Sequence, residues 1–143
     1  MISKASSYAI QALTYLVLQT KGRDYVPISE IAEELTIPYH FLKKILTSLV
    51  QSGTLVSQRS AKGGVALGEE TSNITLYDII TKIDGNTLFT ECLLGLPGCG
   101  EGKPCPLHSS WAVERSRIQL MFSSTTLQDV ARRVATDSVK IGH

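Results

Sequence analysis

The sequence lacks any apolar run near the roughly 20 residues that a membrane-spanning helix requires. Its amino terminus alternates polar and apolar residues and has no basic region followed by an apolar one, as an export signal would. Glycine and proline are too few for a disordered polymer. We therefore expect a compact cytoplasmic protein without a membrane partner, whose 143 residues bury one core or two small ones.

Cysteine is also scarce, and all three cysteines lie in one short stretch together with a histidine. An odd number of cysteines in a reducing compartment argues against a disulfide framework and favours thiolate ligands or a reactive thiol. Glycine and proline separate these donors, so the stretch has the pattern of a loop and not of an amphipathic helix. We predict that this loop folds around a metal centre, with four candidate ligands: Cys92, Cys99, Cys105 and His108.

Acidic residues are absent between Leu35 and Gly68. Four basic residues lie in the same segment, which carries +4, whereas the remainder of a chain of net charge +1 carries −3. A concentrated basic patch on a nearly neutral protein is typical of a nucleic-acid interface, although four charges could also form an ordinary solvated face.

The hydrophobic pattern of the first half predicts a helix-turn-helix. Amphipathic helices are expected over residues 3–18 and 28–35, and a third helix begins at Pro38 after a turn at 36–38 and ends near Gly53. The third helix has a buried stripe formed by Leu42, Ile45, Leu46, Leu49 and Val50. Its opposite face is polar and basic and predicts contact with phosphates or base edges.

Two short strand-like segments, 55–58 and 65–67, follow this helix and flank a basic, glycine-rich tip. A hairpin of this kind directly after a recognition helix is expected to form a wing. The candidate DNA-binding residues on the third helix and wing are Tyr39, His40, Lys43, Lys44, Thr47, Arg59 and Lys62.

The second half predicts further helices around the cysteine loop. Thr75 and Thr126 each precede an acidic residue by three positions, which is a capping signature, and the first of these helices should end at Gly85. A helix over 109–122 has more apolar residues than it can bury against its own core, at Trp111, Ile118, Met121 and Phe122. We therefore predict a homodimer.

The predicted fold is mainly α, a winged helix-turn-helix with a two-stranded wing, a cysteine loop and a long dimerisation helix. Residues 1–85 form the DNA-binding domain, 86–108 the cluster-binding loop, and 109–143 the dimerisation helix and C-terminal helix.

The chain resembles the IscR/NsrR family of iron-sulfur winged-helix transcription regulators over nearly its whole length. The family's wing carries an arginine followed by a glycine-rich tip, here Arg59 with Gly63 and Gly64. Its cluster loop carries three cysteines, followed in IscR-type members by a histidine at the position of His108. The resemblance implies a homodimer that places its third helices in the major groove of a palindromic operator and the wing arginine in the minor groove.

Two departures from the family pattern bear on the cluster. Six residues separate the first two cysteines, where IscR has five, and Gly95 and Gly98 can accommodate the extra residue. NsrR-like members take a fourth, carboxylate ligand from the amino terminus of the partner subunit, where this chain has Ser7. The resemblance therefore implies His108 as the fourth ligand and a 2Fe-2S cluster.

Other functions remain open at this point. Zinc accepts three cysteines and one histidine, although structural zinc sites usually space paired ligands more closely, and a metal-free thiol sensor is also compatible. An interaction module without DNA binding is possible. An enzyme with Cys105 as nucleophile and His108 as base is not expected, because no orienting group and no phosphate-binding or dinucleotide motif accompanies them. We expect a regulator, with no enzymatic activity, that senses redox state, iron or nitric oxide.

Overall fold

The protein is described here from a computed structural model over residues 1–19, 25–59, 63–69, 71–99 and 102–137. These residues form a mainly helical fold with one two-stranded antiparallel sheet, as predicted. The elements are α1 (Lys4–Gln19), α2 (Ile28–Leu35), α3 (Tyr39–Gln51), β1 (Leu55–Gln58), β2 (Gly64–Leu67), a 3-10 turn (Thr71–Asn73), α4 (Leu76–Asp84), α5 (Thr87–Thr90), α6 (His108–Ser123) and α7 (Leu127–Asp137). No helix within these ranges is long and apolar enough to cross a bilayer.

Helices α2 and α3 form the predicted helix-turn-helix. The turn is closed by the backbone N–H of Ile37, which donates to the Ala32 carbonyl at 2.9 Å, and by Thr36, which adopts a left-handed conformation with φ of 55°. The prediction that Pro38 is the first residue of α3 was wrong by one position, because Pro38 is extended and precedes the helix. Four of the five predicted core residues of α3 are buried, whereas Val50 is only half-buried.

Strands β1 and β2 form the predicted wing, with Leu55 opposite Leu67. Strand β2 is also fixed on its other side, because Val26 and Val65 exchange two backbone hydrogen bonds of 2.9 Å. Gly64 allows this close approach, since a Cβ atom there would lie 2.1 Å from the Val26 carbonyl oxygen. The half of β2 nearest the tip of the wing is therefore held against the segment that leads into α2.

One hydrophobic core joins the winged-helix elements to α4 and α7. Ala9, Leu13 and Leu16 of α1 are completely buried in it, and Leu127 at the start of α7 belongs to the same cluster. The starts of α4 and α7 are held together by backbone hydrogen bonds of 2.9 Å between 74–76 and 125–127. Both helices have the predicted reciprocal caps, Thr75 with Asp78 and Thr126 with Asp129.

Helix α6 lies on the outside of this core. It packs against α4 and α5, with the Phe122 ring edge-on to Phe89 at a centroid distance of 6.2 Å, and none of its residues is fully buried. Helix α5 was not predicted, since its residues were assigned to the cluster-binding loop. Helix α6 begins at His108, one residue earlier than predicted.

Candidate functional site

The three predicted cysteine ligands converge in space. Their Sγ atoms all lie within 4.8 Å of one another, and those of Cys92 and Cys105 are 3.9 Å apart. All three cysteines are free thiols and half-buried. Gly95 and Gly98 have φ of 66° and 73°, so glycine supplies the left-handed turns that bring Cys92 and Cys99 together.

His108 completes the set from the first turn of α6. Its Nδ1 atom lies 3.9 Å from the Sγ atom of Cys99, and its backbone N–H donates to the Cys105 carbonyl at 3.0 Å. The three thiols and this imidazole line one cavity of about 270 Å³. The structure therefore brings together the four residues that the sequence singled out.

The thiols differ in acidity. The backbone N–H of Leu96 donates to the Cys92 sulfur and lowers the pKa of that thiol to about 7. The backbone N–H of Cys105 favours ionisation of Cys99, but the thiols of Cys105 and Cys92 oppose it more strongly together, so the pKa of Cys99 is raised. Cys92 is thus the thiol of this pair that ionises more readily near neutral pH.

The donor set fits a tetrahedral metal. In a tetrahedron with metal–sulfur bonds of roughly 2.3 Å, sulfur atoms lie about 3.8 Å apart. The 3.9 Å between the Cys92 and Cys105 sulfurs agrees with that spacing. Thiolate-rich tetrahedral sites hold either zinc or the irons of an iron-sulfur cluster, so this spacing alone is compatible with both.

Two residues that the sequence analysis did not assign to the site hold the cysteine loop. The indole Nε1–H of Trp111 and the guanidinium Nη1–H of Arg115 both donate to the Glu91 carbonyl oxygen, at 2.9 and 3.1 Å. Trp111 and Arg115 also line the cavity. The available signal was their spacing from His108, since positions i, i+3 and i+7 lie on one helix face.

The predicted DNA-binding residues lie on one surface. Six of the seven are exposed in the structure, and Lys62 lies outside the described residues. A groove of about 580 Å³ between α3 and the wing is lined by Tyr39, Lys43, Thr47 and Arg59. A second hollow of about 470 Å³ along α3 is lined by His40, Lys43, Lys44 and Thr47.

Further residues of the groove were not predicted. Pro27 and Ser29 contribute from the start of α2, and Ser57 and Gln58 from β1. No acidic side chain occurs among the described residues that line this groove. The position of α2 beside the wing depends on tertiary contacts. Apart from the lack of acidic residues in the neighbouring segment, the sequence carried no signal for this position.

Comparison with known proteins identifies the family. The model of the Rrf2 family, described as an iron-dependent transcriptional regulator, matches residues 2–133. A protein of Aquifex aeolicus assigned as an HTH-type transcriptional regulator is 35% identical over 133 residues, which are 91% of this chain and 90% of that protein. The regulator IscR of Yersinia pseudotuberculosis is 28% identical over 129 residues, 90% of this chain and 77% of IscR.

Solved structures agree with this assignment. CymR, the global cysteine regulator of B. subtilis, superposes with a TM-score of 0.74 at 26% identity, over 92% of this chain and 96% of CymR. IscR of T. potens superposes with a TM-score of 0.73 at 25% identity, over 99% of this chain and 93% of that one. The matched proteins are regulators, and none of those named here is an enzyme. This chain belongs to the Rrf2 family of transcriptional regulators.

Proposed function

We propose that this regulator binds its operator with an affinity controlled by an iron-sulfur cluster of the 2Fe-2S type. Cys92, Cys99, Cys105 and His108 would be its ligands. The observation that carries the proposal is the convergence of three thiols within 4.8 Å in a loop that leads directly into α6. The family description and the IscR relatives support iron as the metal. When bound, the cluster supplies a centre whose integrity responds to redox state, iron supply or nitric oxide.

The groove between α3 and the wing supports a role for each DNA-binding residue. Lys43, Lys44 and Thr47, with Tyr39 and His40 at the start of α3, would contact the major groove and its phosphates. Arg59 would reach the minor groove, and we extend this role to Lys62 from its place in the sequence. A regulator of this kind acts on chromosomal DNA, so we propose a cytoplasmic location.

The open side of α6 supports a homodimer and hence a palindromic operator. Of the four apolar residues predicted to meet a partner, Trp111 and Phe122 instead contact Glu91 and Phe89 of the same chain. Ile118 is half-buried, and Met121 is exposed. Val113, Leu120 and Met121 expose 53%, 68% and 54% of their surface, although each is a large apolar residue. Positions 113, 120 and 121 fall on one broad face of the helix. A second copy of the chain would cover this face.

A second candidate function is a zinc-bound or metal-free thiol regulator. The sulfur spacing suits a single tetrahedral metal, and the pKa of about 7 at Cys92 suits a reactive thiol. Metal and sulfide content separates these possibilities.

The cluster is tested first by composition. We predict that protein purified without oxygen absorbs visible light and contains about two iron and two sulfide per chain. Cys92→Ser should remove the colour, whereas His108→Ala should leave a labile cluster because three thiolate ligands remain. A colourless wild-type chain that contains zinc and no sulfide would contradict the cluster and support the alternative.

Lys43→Ala and Arg59→Ala test the DNA interface. Loss of one phosphate contact at Lys43 should weaken binding to all sequences alike and reduce the salt slope by about 0.9 per subunit. Arg59→Ala should in addition reduce discrimination between sequences. Both side chains are exposed, so stability should change by less than about 0.5 kcal/mol.

The matched control for these two variants is Lys4→Ala, which removes the same charge from an exposed residue at the start of α1, away from the groove and the cysteine loop. Binding and its salt dependence are measured by fluorescence anisotropy on duplexes selected from genomic fragments. Unchanged affinity in both variants would remove the proposed interface.

Leu120→Asp tests the dimer. A charge on this 68% exposed side chain should leave the fold intact but make burial of the α6 face unfavourable. We expect a folded monomer in sedimentation velocity, while the control Gln119→Asp, an exposed position on the opposite side of the same helix, stays dimeric. A wild-type chain that sediments as a monomer at micromolar concentration would contradict both the dimer and the palindromic operator.

The reactivity of Cys92 tests the thiol alternative on metal-free protein. Its folded pKa of about 7 means that the thiolate forms as the pH rises through 7. The rate of alkylation of Cys92 should therefore level off above pH 8. The rate at Cys99, whose pKa is raised, should continue to increase with pH. Peptide mass spectrometry after iodoacetamide pulses measures both rates. Indistinguishable pH profiles would contradict the assigned acidities.

A further inference from the structure

We propose that Trp111 and Arg115 are positioning residues that fix the backbone before Cys92 and so connect the cysteine cavity mechanically to α6. The expected effect of these residues on metal affinity rests on the proposed function. Their attachment of the loop to α6 concerns the metal-free chain alone.

The connection is a pair of hydrogen bonds to one acceptor. A carbonyl oxygen has two lone pairs, and the Glu91 oxygen receives both the Trp111 indole N–H and the Arg115 guanidinium N–H. One of these donors is charged, which makes its hydrogen bond the stronger type. The acceptor belongs to the residue directly before Cys92, so its orientation determines where the Cys92 side chain starts.

The same carbonyl stands at the end of a fixed element. The backbone N–H of Glu91 donates to the Thr87 carbonyl at 3.0 Å and ends α5, after which the chain is extended. Glu91 is thus held through its N–H by α5 and through its C=O by α6. Cys92 follows a peptide unit that has little freedom to turn.

Helix α6 meets the cavity with one face. His108, Trp111 and Arg115 recur at i, i+3 and i+7, so a candidate ligand and both donors move together if the helix rotates or shifts. All three line the cavity that the cysteines line. A ligand in the cavity would therefore draw Cys92 and α6 into one rigid unit.

This arrangement predicts how metal binding in the cavity and order in α6 affect each other. Groups that orient metal ligands typically change metal affinity by about 10- to 100-fold when they are removed. Because coupling between two sites is reciprocal, order imposed on α6 should tighten binding in the cavity, and occupancy of the cavity should order α6.

Hydrogen exchange on the metal-free chain tests whether Trp111 and Arg115 hold the cysteine loop. In wild type, the N–H groups of Gly95 and Cys99 donate within the loop to the carbonyls of Cys92 and Leu96. Arg115→Gln should speed their exchange by about tenfold, because the loop opens more often when its attachment is weakened. Arg115→Lys should restore part of the protection, since the lysine ammonium is still a donor.

Two further variants keep this test decisive. Trp111→Phe removes the indole donor but keeps an aromatic ring, and should speed the same amides if Arg115→Gln does not fold. Lys4→Gln is the matched control, because it removes the same charge from an exposed residue at the start of α1, outside the cavity and the proposed dimer face. Unchanged loop exchange in both Arg115→Gln and Trp111→Phe would overturn the proposal.

Cobalt(II) binding tests whether Arg115 raises the metal affinity of the cavity. Thiolate-to-cobalt absorption reports occupancy, and Trp111, the single tryptophan of the chain, should report it by fluorescence because it lines the cavity. Arg115→Gln should bind about 10- to 100-fold more weakly than wild type, with Arg115→Lys in between and Lys4→Gln unchanged. Equal affinities in all four chains would overturn the positioning role. A wild type that binds no cobalt would contradict the proposed metal site, and loop exchange would still decide the attachment.

Discussion

Bringing three cysteine sulfurs within 4.8 Å of one another concentrates negative charge as soon as the thiols ionise. Side-chain hydrogen bonds with Cys105 and Cys92 help to raise the pKa of Cys99, so its protonated form is favoured over the accumulation of this charge. A positive metal centre offsets the repulsion between the thiolates, and a metal-free loop avoids this repulsion by keeping a thiol protonated. The geometry of the loop is therefore coupled to its occupancy, and whatever the loop contacts is subject to the same influence.

Two hydrogen bonds from α6 hold the start of the loop at Glu91, and α6 packs against α4 and α5. Phe122 meets Phe89, whose ring lies 4.8 Å from that of Tyr77 on α4. Farther along α4, the Lys82 ammonium donates to the Thr54 hydroxyl at 2.9 Å, and Thr54 directly precedes strand β1 of the wing. A continuous set of contacts thus leads from the cysteine cavity to the wing within one chain.

The sequence was sufficient where local signals determine the structure. The bounds of α2 were predicted correctly because it has clear periodicity between turn residues, and those of β1 because its strand-forming residues lie between a turn and the glycine-rich tip. The caps at Thr75 and Thr126 need only a threonine and an acid three residues apart. The four candidate ligands lie close in sequence, so their convergence was also predictable. Helix α5 was missed because four residues carry too little periodicity to identify a helix.

Contacts that depend on backbone atoms were not predictable. The Glu91 carbonyl has no side-chain signal, so neither Trp111 nor Arg115 could be assigned to it, and the pairing of Val26 with Val65 beside the wing had no sequence pattern either.

Operator affinity measured on matched cluster-loaded and metal-free samples is the decisive test of whether occupancy of the cysteine cavity controls DNA binding. Both samples must be compared at one salt concentration, because salt alone changes such affinities by orders of magnitude. In the proposed homodimer, an ordered loop would fix α6 and with it the separation of the two recognition helices, so the loaded form should bind its operator roughly tenfold or more tightly. Equal affinity and equal sequence preference in the two forms would contradict control of DNA binding by the cysteine cavity.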